Sequence, residues 1–314
     1  MARQYEPIAS APPTLAKSQA HRQSRLKSLS RIMFSNRKST VGVIIFLFFV
    51  LMALLAPLVA PYSPTSTEFS ANLSPSFAHL FGTTAQGQDI FSQFVYGART
   101  TLLVGLGAGL LATVLSLLIG ITAGYRGGWI DTILNFLSNI FLVLPGLALL
   151  ILIESYVHQS SPAFNGLIIG LTGWAWGARV FRSQTMTLAQ RDFITAAKLS
   201  GASNLRIMVS EIMPNMTSII ASNIMYACLA AILAESGLAF LGLENVNSVS
   251  WGTMLYWASQ GDAMLTGAWW WFVPPGLGIA LVGLSLVLMN YAMDQLTNPR
   301  LRDLSRRQRR MPHA

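Results

Sequence analysis

The most constraining feature of the sequence is a set of long apolar stretches with few or no charged residues. The first of them, Val41 to Ala60, runs for twenty residues without a charge. A bilayer hydrocarbon core is about 30 Å thick and needs about 20 mostly apolar residues per spanning helix. Five more stretches qualify: Thr101 to Tyr125, Ile130 to Ile153, the shorter Phe164 to Ala178, Thr217 to Leu241, and Trp269 to Met293. The pattern predicts an all-α integral membrane protein with about six transmembrane helices.

Composition supports this class. Only 11% of the residues are charged, against about a quarter in a soluble domain, and the stretches do not alternate as barrel strands do. The first stretch lies too far from the N-terminus and is too long for a cleaved signal peptide. We therefore expect a basic cytoplasmic segment at 1–40, a first transmembrane helix at 41–61, an extracytoplasmic segment at 62–98, a five-helix core at 99–293 with a cytoplasmic loop at 181–215, and a basic cytoplasmic tail at 294–314.

The distribution of Lys and Arg predicts the orientation, because cytoplasmic loops of membrane proteins retain these residues. Twenty of the 21 lie before the first stretch, between the second and third, between the fourth and fifth, or after the sixth. Both termini are therefore predicted to be cytoplasmic, and only Arg99 stands at an outer mouth. Loops against an anionic leaflet account for most of the net charge of +9, so we expect the lipid bilayer and no nucleic acid as partner.

The sequence offers little for catalysis. It has no phosphate-binding Gly-x-x-x-x-Gly-Lys-Ser/Thr loop, no His-Glu-x-x-His and only four His, so we expect no catalytic residue, no metal site and no bound cofactor. Gly105, Gly107 and Gly109 lie inside an apolar stretch, where close helix packing is the favoured interpretation. The single Cys228 is interpreted as a small packing residue.

A secondary transporter usually needs ionisable groups within the membrane. Here Glu154 and Glu235 lie near the outer ends of their stretches, and Asp131 and Asp294 near the inner ends. This lowers the expectation for a proton- or sodium-driven transporter, which stays open as an alternative, as does a non-transporting membrane scaffold.

The loop between the fourth and fifth stretches is the most informative segment. It spans about 35 residues, which is long for a connector in a compact bundle. Phe193, Ala196, Ala197 and Leu199 predict a short amphipathic helix that ends at Gly201, a residue that suits a C-terminal cap. Such a helix is suited to docking into a groove on a partner.

This loop resembles the coupling loop of bacterial binding-protein-dependent ABC importer permeases, in which Glu-Ala-Ala is followed by three residues, Gly, and later Pro. Ala196, Ala197, Gly201 and Pro214 match, whereas Thr195 and Glu211 depart from the pattern. The resemblance implies that the contacts with the ATPase come from Phe193, Thr195, Ala196, Ala197, Leu199, Gly201 and Pro214.

The resemblance covers nearly the whole chain and narrows to the second permease subunit of the dipeptide, oligopeptide and nickel type. It is carried by Arg31 to Pro64, Phe81 to Ser92 with departures at Thr84 and Gln88, Tyr96 to Leu102, Ile232 to Leu243, and Val249 to Leu255. The extracytoplasmic motif residues that it implies are Gly82, Thr83, Gly87, Asp89, Arg99, Glu235, Trp251 and Gly252.

The family implies the type I ABC importer architecture in a bacterial or archaeal cytoplasmic membrane. Its members pair with a homologous second permease, two ATPase subunits, identical or not, that carry ATP and Mg²⁺, and an extracytoplasmic solute-binding protein. Di- or oligopeptides are the expected substrates, with gluco-oligosaccharides or nickel as alternatives. The outer Trp251, Trp257, Trp269, Trp270 and Trp271 are expected to form an interfacial belt, and contact with a ligand is the second interpretation.

Overall fold

The computed structural model describes residues 37–157 and 161–297. These residues form helices and loops, with one isolated β-bridge between Thr83 and Asp89. In chain order the helices are α1 (Arg37–Leu54), α2 (Ala56–Val59), α3 (Ile90–Arg126), α4 (Gly128–Val143), α5 (Gly146–Val157), α6 (Pro162–Thr172), α7 (Ala175–Ala189), α8 (Asp192–Leu199), α9 (Asn204–Arg206), α10 (Thr217–Phe240), α11 (Trp251–Gln260) and α12 (Trp269–Thr297). A π-helix (Ile207–Ile212) and a 3₁₀-helix (Met213–Met216) join α9 to α10.

Within the part of the chain that the structure describes, four helical segments are long and apolar enough to cross a membrane: Arg37–Leu54, Ile90–Arg126, Asn204–Phe240 and Trp269–Tyr291. The pair α4 and α5 is a fifth if it counts as one span bent by 85°; the bend falls at Pro145, which cannot continue the hydrogen-bond ladder. The fourth predicted stretch is divided between α6 and α7 at Gly173, a residue that weakens a helix interior. The prediction of an all-α multi-span bundle is confirmed.

The first helix differs from the prediction at both ends. It is already helical at Arg37, four residues before the predicted start, and it breaks after Leu54, where α2 restarts with Pro57 in its first turn. Proline is favoured at that position because no partner is needed there for a backbone N–H. The rest of the predicted basic N-terminal segment, and the tail from residue 298 onward, lie outside the described residues.

The central helix α3 is 37 residues long and packs against α7, α10 and α6. A β-carbon at Gly105 would overlap Ile232, and one at Gly109 would overlap the backbone of Cys228. The close approach of α3 and α10 therefore requires small residues at these two positions, as expected for packing in lipid. Gly107, by contrast, faces open space.

The loop predicted at 181–215 is mostly helical. Helix α7 continues to Ala189, α8 occupies Asp192–Leu199, and the helical run that leads into α10 begins at Asn204, so only 190–191 and 200–203 connect the helices. The polar composition of the last residues of α7 suggested a loop. These residues are helical instead, and the helix has a buried side that includes Phe181 and Thr185. Pro214 has no N–H to donate, and the helix is irregular around it, with π and 3₁₀ turns before α10.

The outer tryptophans do not form one group. Trp251 and Trp271 are fully buried, whereas Trp269 is 54% exposed. The Trp251 ring stacks on Phe94 at a centroid distance of 5.5 Å, and its Nε1 donates to the Phe94 carbonyl at 2.9 Å. Trp251 and Trp271 therefore belong to the core, in neither an interfacial belt nor a ligand site.

Candidate functional site

The predicted docking helix is present as α8. Asp192 lies in its first turn and Lys198 in its last, the arrangement that the helix dipole favours. At its end Gly201 has φ +78°. The Gly201 N–H donates to the Lys198 carbonyl at 3.0 Å, and the Ala202 N–H donates to the Ala197 carbonyl at 3.1 Å. These two bonds define a Schellman motif, so the predicted helix end at Gly201 is confirmed.

One side of α8 is fixed to the body of the protein. Ile194 is fully buried in a cluster with Phe181, Ile207, Ile212 and Met216. Ala197 and Ala202 pack against the same cluster, which adds the hydrophobic contact that commonly accompanies a Schellman motif. The helix is therefore held by its inner face and not only by its two connections.

The other side of α8 is an exposed apolar surface. Phe193 is 40% exposed and Leu199 is 85% exposed, and Ala196 and Thr195 are exposed as well. We call Phe193, Ala196 and Leu199 the docking face. Of the residues predicted to contact a partner, Ala197 points instead toward the buried cluster and Pro214 lies in the 3₁₀ turn; neither is on the docking face.

A second set of contacts, which the sequence did not predict, connects α8 and α9 to α3. The Lys198 Nζ lies 5.3 Å from the centroid of the Tyr125 ring, within the range of a cation–π interaction. The Tyr125 hydroxyl donates to Asn204 Oδ1 at 3.2 Å. Tyr125 is in the last turn of α3, so α8 and α9 are both connected to the end of the central helix. The only sequence signal for these contacts was the aromatic residue Tyr125 at the end of an apolar stretch.

An ion pair joins α4 to α7. The Arg182 Nε donates to Asp131 Oδ1 at 2.5 Å and its second nitrogen to Oδ2 at 2.6 Å, and Arg179 donates to Asn139 Oδ1 at 2.6 Å. Paired bonds of this kind between Arg and a carboxylate fix relative orientation as well as distance. Asp131, predicted at an inner helix end, thus has a defined partner.

At the opposite end of α3, four predicted motif residues shape the segment before that helix. Gly82 and Gly87 both have φ +74°, and a β-carbon on them would overlap the carbonyl oxygens of Leu73 and Phe69 respectively. Thr83 Oγ1 accepts from the Leu73 N–H at 2.9 Å and donates to the Ser70 carbonyl at 2.7 Å. These positions fold the segment closely onto itself.

The fourth residue, Asp89, is the N-cap of α3. It accepts from the Ser92 N–H at 2.8 Å and the Ser92 hydroxyl at 2.7 Å, and its other oxygen lies 2.9 Å from His79 Nδ1. Asp89 is fully buried, and a side-chain cap of this type supplies an acceptor for otherwise unpaired N–H groups. The geometry gives the motif from Gly82 to Asp89 a structural role.

The remaining motif residues do not form one site. Glu235 is fully buried and accepts from the Ser236 hydroxyl at 3.0 Å. Gly252 lets α11 approach α10, because a β-carbon there would lie 2.7 Å from the Ser236 carbonyl oxygen. Arg99, by contrast, is exposed on the surface of α3.

Two further carboxylates, Glu154 and Glu244, are buried, and Glu244 lies within electrostatic range of both Glu154 and Glu235. Glu244 is 1% exposed and accepts from the Ser248 hydroxyl at 3.3 Å. Burial, together with the carboxylates of Glu235 and Glu154, raises the pKa of Glu244 to about 8. Among the described residues, no three His, Cys, Asp or Glu side chains are placed to hold one metal ion together.

The apolar spans define the class of protein: a multi-pass integral membrane protein. The chain belongs to the family described as binding-protein-dependent transport system inner membrane component, whose model matches residues 116–303. The model for the N-terminal TM domain of oligopeptide transport permease C matches residues 24–75.

Curated relatives cover most of the chain. A dipeptide transport system permease protein of Bacillus subtilis is 33% identical over 87% of this chain and 85% of its own length. An oligopeptide transport system permease protein of Mycobacterium bovis is 32% identical over 90% of this chain and 97% of its own length. A putative peptide transport system permease protein of Brucella abortus is 31% identical over 87% and 91%, respectively. These similarities confirm the family that the sequence motifs indicated.

Proposed function

We propose that the chain is the permease subunit of an ATP-driven importer of di- and oligopeptides. In this proposal it forms half of the translocation path, binds no cofactor, and contacts a homologous permease, two ATPase subunits that carry ATP and Mg²⁺, and an external solute-binding protein. The names of the relatives support peptides as the substrate class. Both chain termini then lie in the cytoplasm.

The observation that carries the proposal is the docking face of α8. Leu199 and Phe193 expose apolar surface to solvent. Exposed apolar surface is less favourable than buried surface by about 25 cal/mol per Å². An apolar cleft on an ATPase subunit would remove that surface from water. The inner face of α8 packs through Ile194 on Phe181, which lies in α7, and on the helical run before α10. A movement of the ATPase would therefore be transmitted to α7, to that helical run and, through the contacts of Tyr125, to α3.

The test replaces Leu199 by Asp. A charge in the apolar cleft should weaken the association with the ATPase subunits and reduce uptake, without displacing the chain from the membrane. Leu265→Asp is the matched control, since Leu265 is 86% exposed but lies in the loop before α12, on the predicted outer side. Reconstituted complexes are assayed for assembly, ATP turnover and uptake of a labelled dipeptide.

The same preparation tests the substrate class. Unlabelled peptides should compete with the labelled dipeptide, and gluco-oligosaccharide or nickel should not. Wild-type assembly and uptake in Leu199→Asp would disprove the docking role. Uptake of labelled gluco-oligosaccharide or nickel, with no uptake of the labelled dipeptide, would change the substrate and leave the importer in place.

A further inference from the structure

An open groove of about 520 Å³ lies between α3 and α6. Helix α3 contributes one wall, from Arg99 to Leu111, and the first turns of α6 contribute the other, as far as Leu167. Apart from Arg99 and Thr100 the lining is apolar. Its floor is open at Gly107, where a β-carbon would have no neighbour within 4 Å.

Arg99 is the unusual member of this groove. Its side chain is exposed, and within the described residues its guanidinium takes part in neither of the two ion pairs. It is also the one basic residue of the sequence outside the segments predicted to be cytoplasmic. A free cation at the mouth of an apolar groove is suited to an anion that carries an apolar part.

The length of the groove indicates which amphipathic anion fits. Arg99 and Leu111 are twelve residues apart on one helix, which corresponds to about 18 Å at a rise of about 1.5 Å per residue. One leaflet of the hydrocarbon core is about 15 Å deep, half of about 30 Å. Because Arg99 lies two residues before the apolar stretch that begins at Thr101, we infer that it lies at the level of the lipid headgroups. The groove would then extend from the interface to the middle of the membrane.

A peptide fits less well. A zwitterionic peptide carries an ammonium group, and no Asp or Glu lines the groove. Its backbone amides would also find few partners there, which is costly in an apolar site. We propose that the groove binds one acidic phospholipid, with the phosphate on Arg99 and an acyl chain along Leu103 and Gly107 to Leu111. This inference does not depend on the importer's substrate.

The probe is phosphatidylglycerol, added to the delipidated full chain in detergent and counted by native mass spectrometry. The wild type should hold one tightly bound molecule per chain. Arg99→Gln removes the charge-assisted contact. Gly107→Phe places a ring in the groove from a position where a β-carbon meets no atom. Each should weaken that site at least about tenfold. Diacylglycerol with the same chains, and glycerol phosphate without them, should each bind at least about tenfold more weakly than the intact lipid.

Two controls are matched to the variants. Leu118→Phe adds the same ring to an exposed position of α3 outside the groove, and Arg126→Gln removes a cation from the other end of the same helix; both should keep the tight site. Equal thermal stability of all four variants excludes misfolding as the cause.

Three results would overturn the proposal. The first is unchanged lipid binding in Gly107→Phe. The second is displacement of the lipid by a transported peptide. The third is retained lipid with loss of co-purification of the second permease in Arg99→Gln and Gly107→Phe, which would assign the groove to the interface between permeases.

Discussion

At the scale of single residues, three buried carboxylates have the largest electrostatic consequence: Glu154 in α5, Glu235 in α10, and Glu244 just after α10. Glu154 and Glu244 are each 1% exposed and Glu235 is fully buried. Among residues 37–157 and 161–297, no hydrogen-bond partner is found for one oxygen of Glu235 and one of Glu244. A desolvated carboxylate beside others of the same charge favours its protonated form, which is why the pKa of Glu244 rises to about 8.

This shift predicts a pH dependence of stability. Between the ordinary Glu pKa of 4.5 and the folded value of about 8, the folded chain holds a proton that the unfolded chain has lost. Stability should therefore fall as pH rises through this window, by up to about 1.4 kcal/mol per pH unit. Thermal unfolding in detergent measures it. Glu244→Gln should flatten the slope, and a stability that rises with pH in the wild type would contradict the assignment.

At the scale of elements, α8 is a helix whose two faces have different surroundings. Ile194 anchors it and the docking face is left open. Eight residues are too few for an isolated helix to be stable in water, so its persistence depends on the anchor, on the cap at Gly201 and on the Tyr125 contacts.

Two glycines test the importance of that cap. A β-carbon at Gly201 meets no atom, so Gly201→Ala carries only the backbone cost of φ +78°, about 1–2 kcal/mol. Gly107 also has open space but is helical, so Gly107→Ala should stabilise its helix by up to about 1 kcal/mol. Hydrogen exchange across 192–201 should accelerate in Gly201→Ala and stay unchanged in Gly107→Ala. Equal protection in both would show that the cap is dispensable.

At the scale of the whole molecule, α3 connects the folded segment that precedes it to the region of α8 and α9. Its 37 residues span about 55 Å, more than the about 30 Å of the hydrocarbon core. The Asp89 cap and the folded segment before it lie at one end of α3. Tyr125, with its contacts to α8 and α9, lies at the other end. A helix that packs against α6, α7 and α10 can relate the position of α8 to that of the outer segment.

The orientation is tested with single cysteines. Cys228 is buried, and replacing it with Ala provides the background. Thr67→Cys, in the segment before α3, should react with an impermeant maleimide in intact cells, whereas Thr195→Cys, on α8, should react only after the membrane is permeabilised. Both positions are exposed, so access alone separates them. The reverse labelling pattern would invert the predicted topology.

The sequence by itself determined the features that depend on local chemistry. Uncharged stretches of sufficient length predicted the spanning helices, and Gly201 predicted the end of α8, because a helix C-terminus of this kind needs a residue that tolerates positive φ. The order of the motifs indicated the family, which the relatives confirmed. The sequence did not predict that α7 continues through its polar end, or that the fourth apolar stretch is divided at Gly173. Neither polarity nor a single glycine decides by itself where a helix ends.

Only the tertiary structure decided which apolar residues face protein. In lipid an outward-facing Leu is as favourable as a buried one, so the pattern of hydrophobicity does not mark the packed side of a helix such as α3. Trp251 became a core residue through contacts with Thr101 and Phe94, 150 and 157 positions away in the chain. The gathering of Glu154, Glu235 and Glu244, the groove beside Arg99 and the contacts of Tyr125 depend in the same way on packing between distant segments.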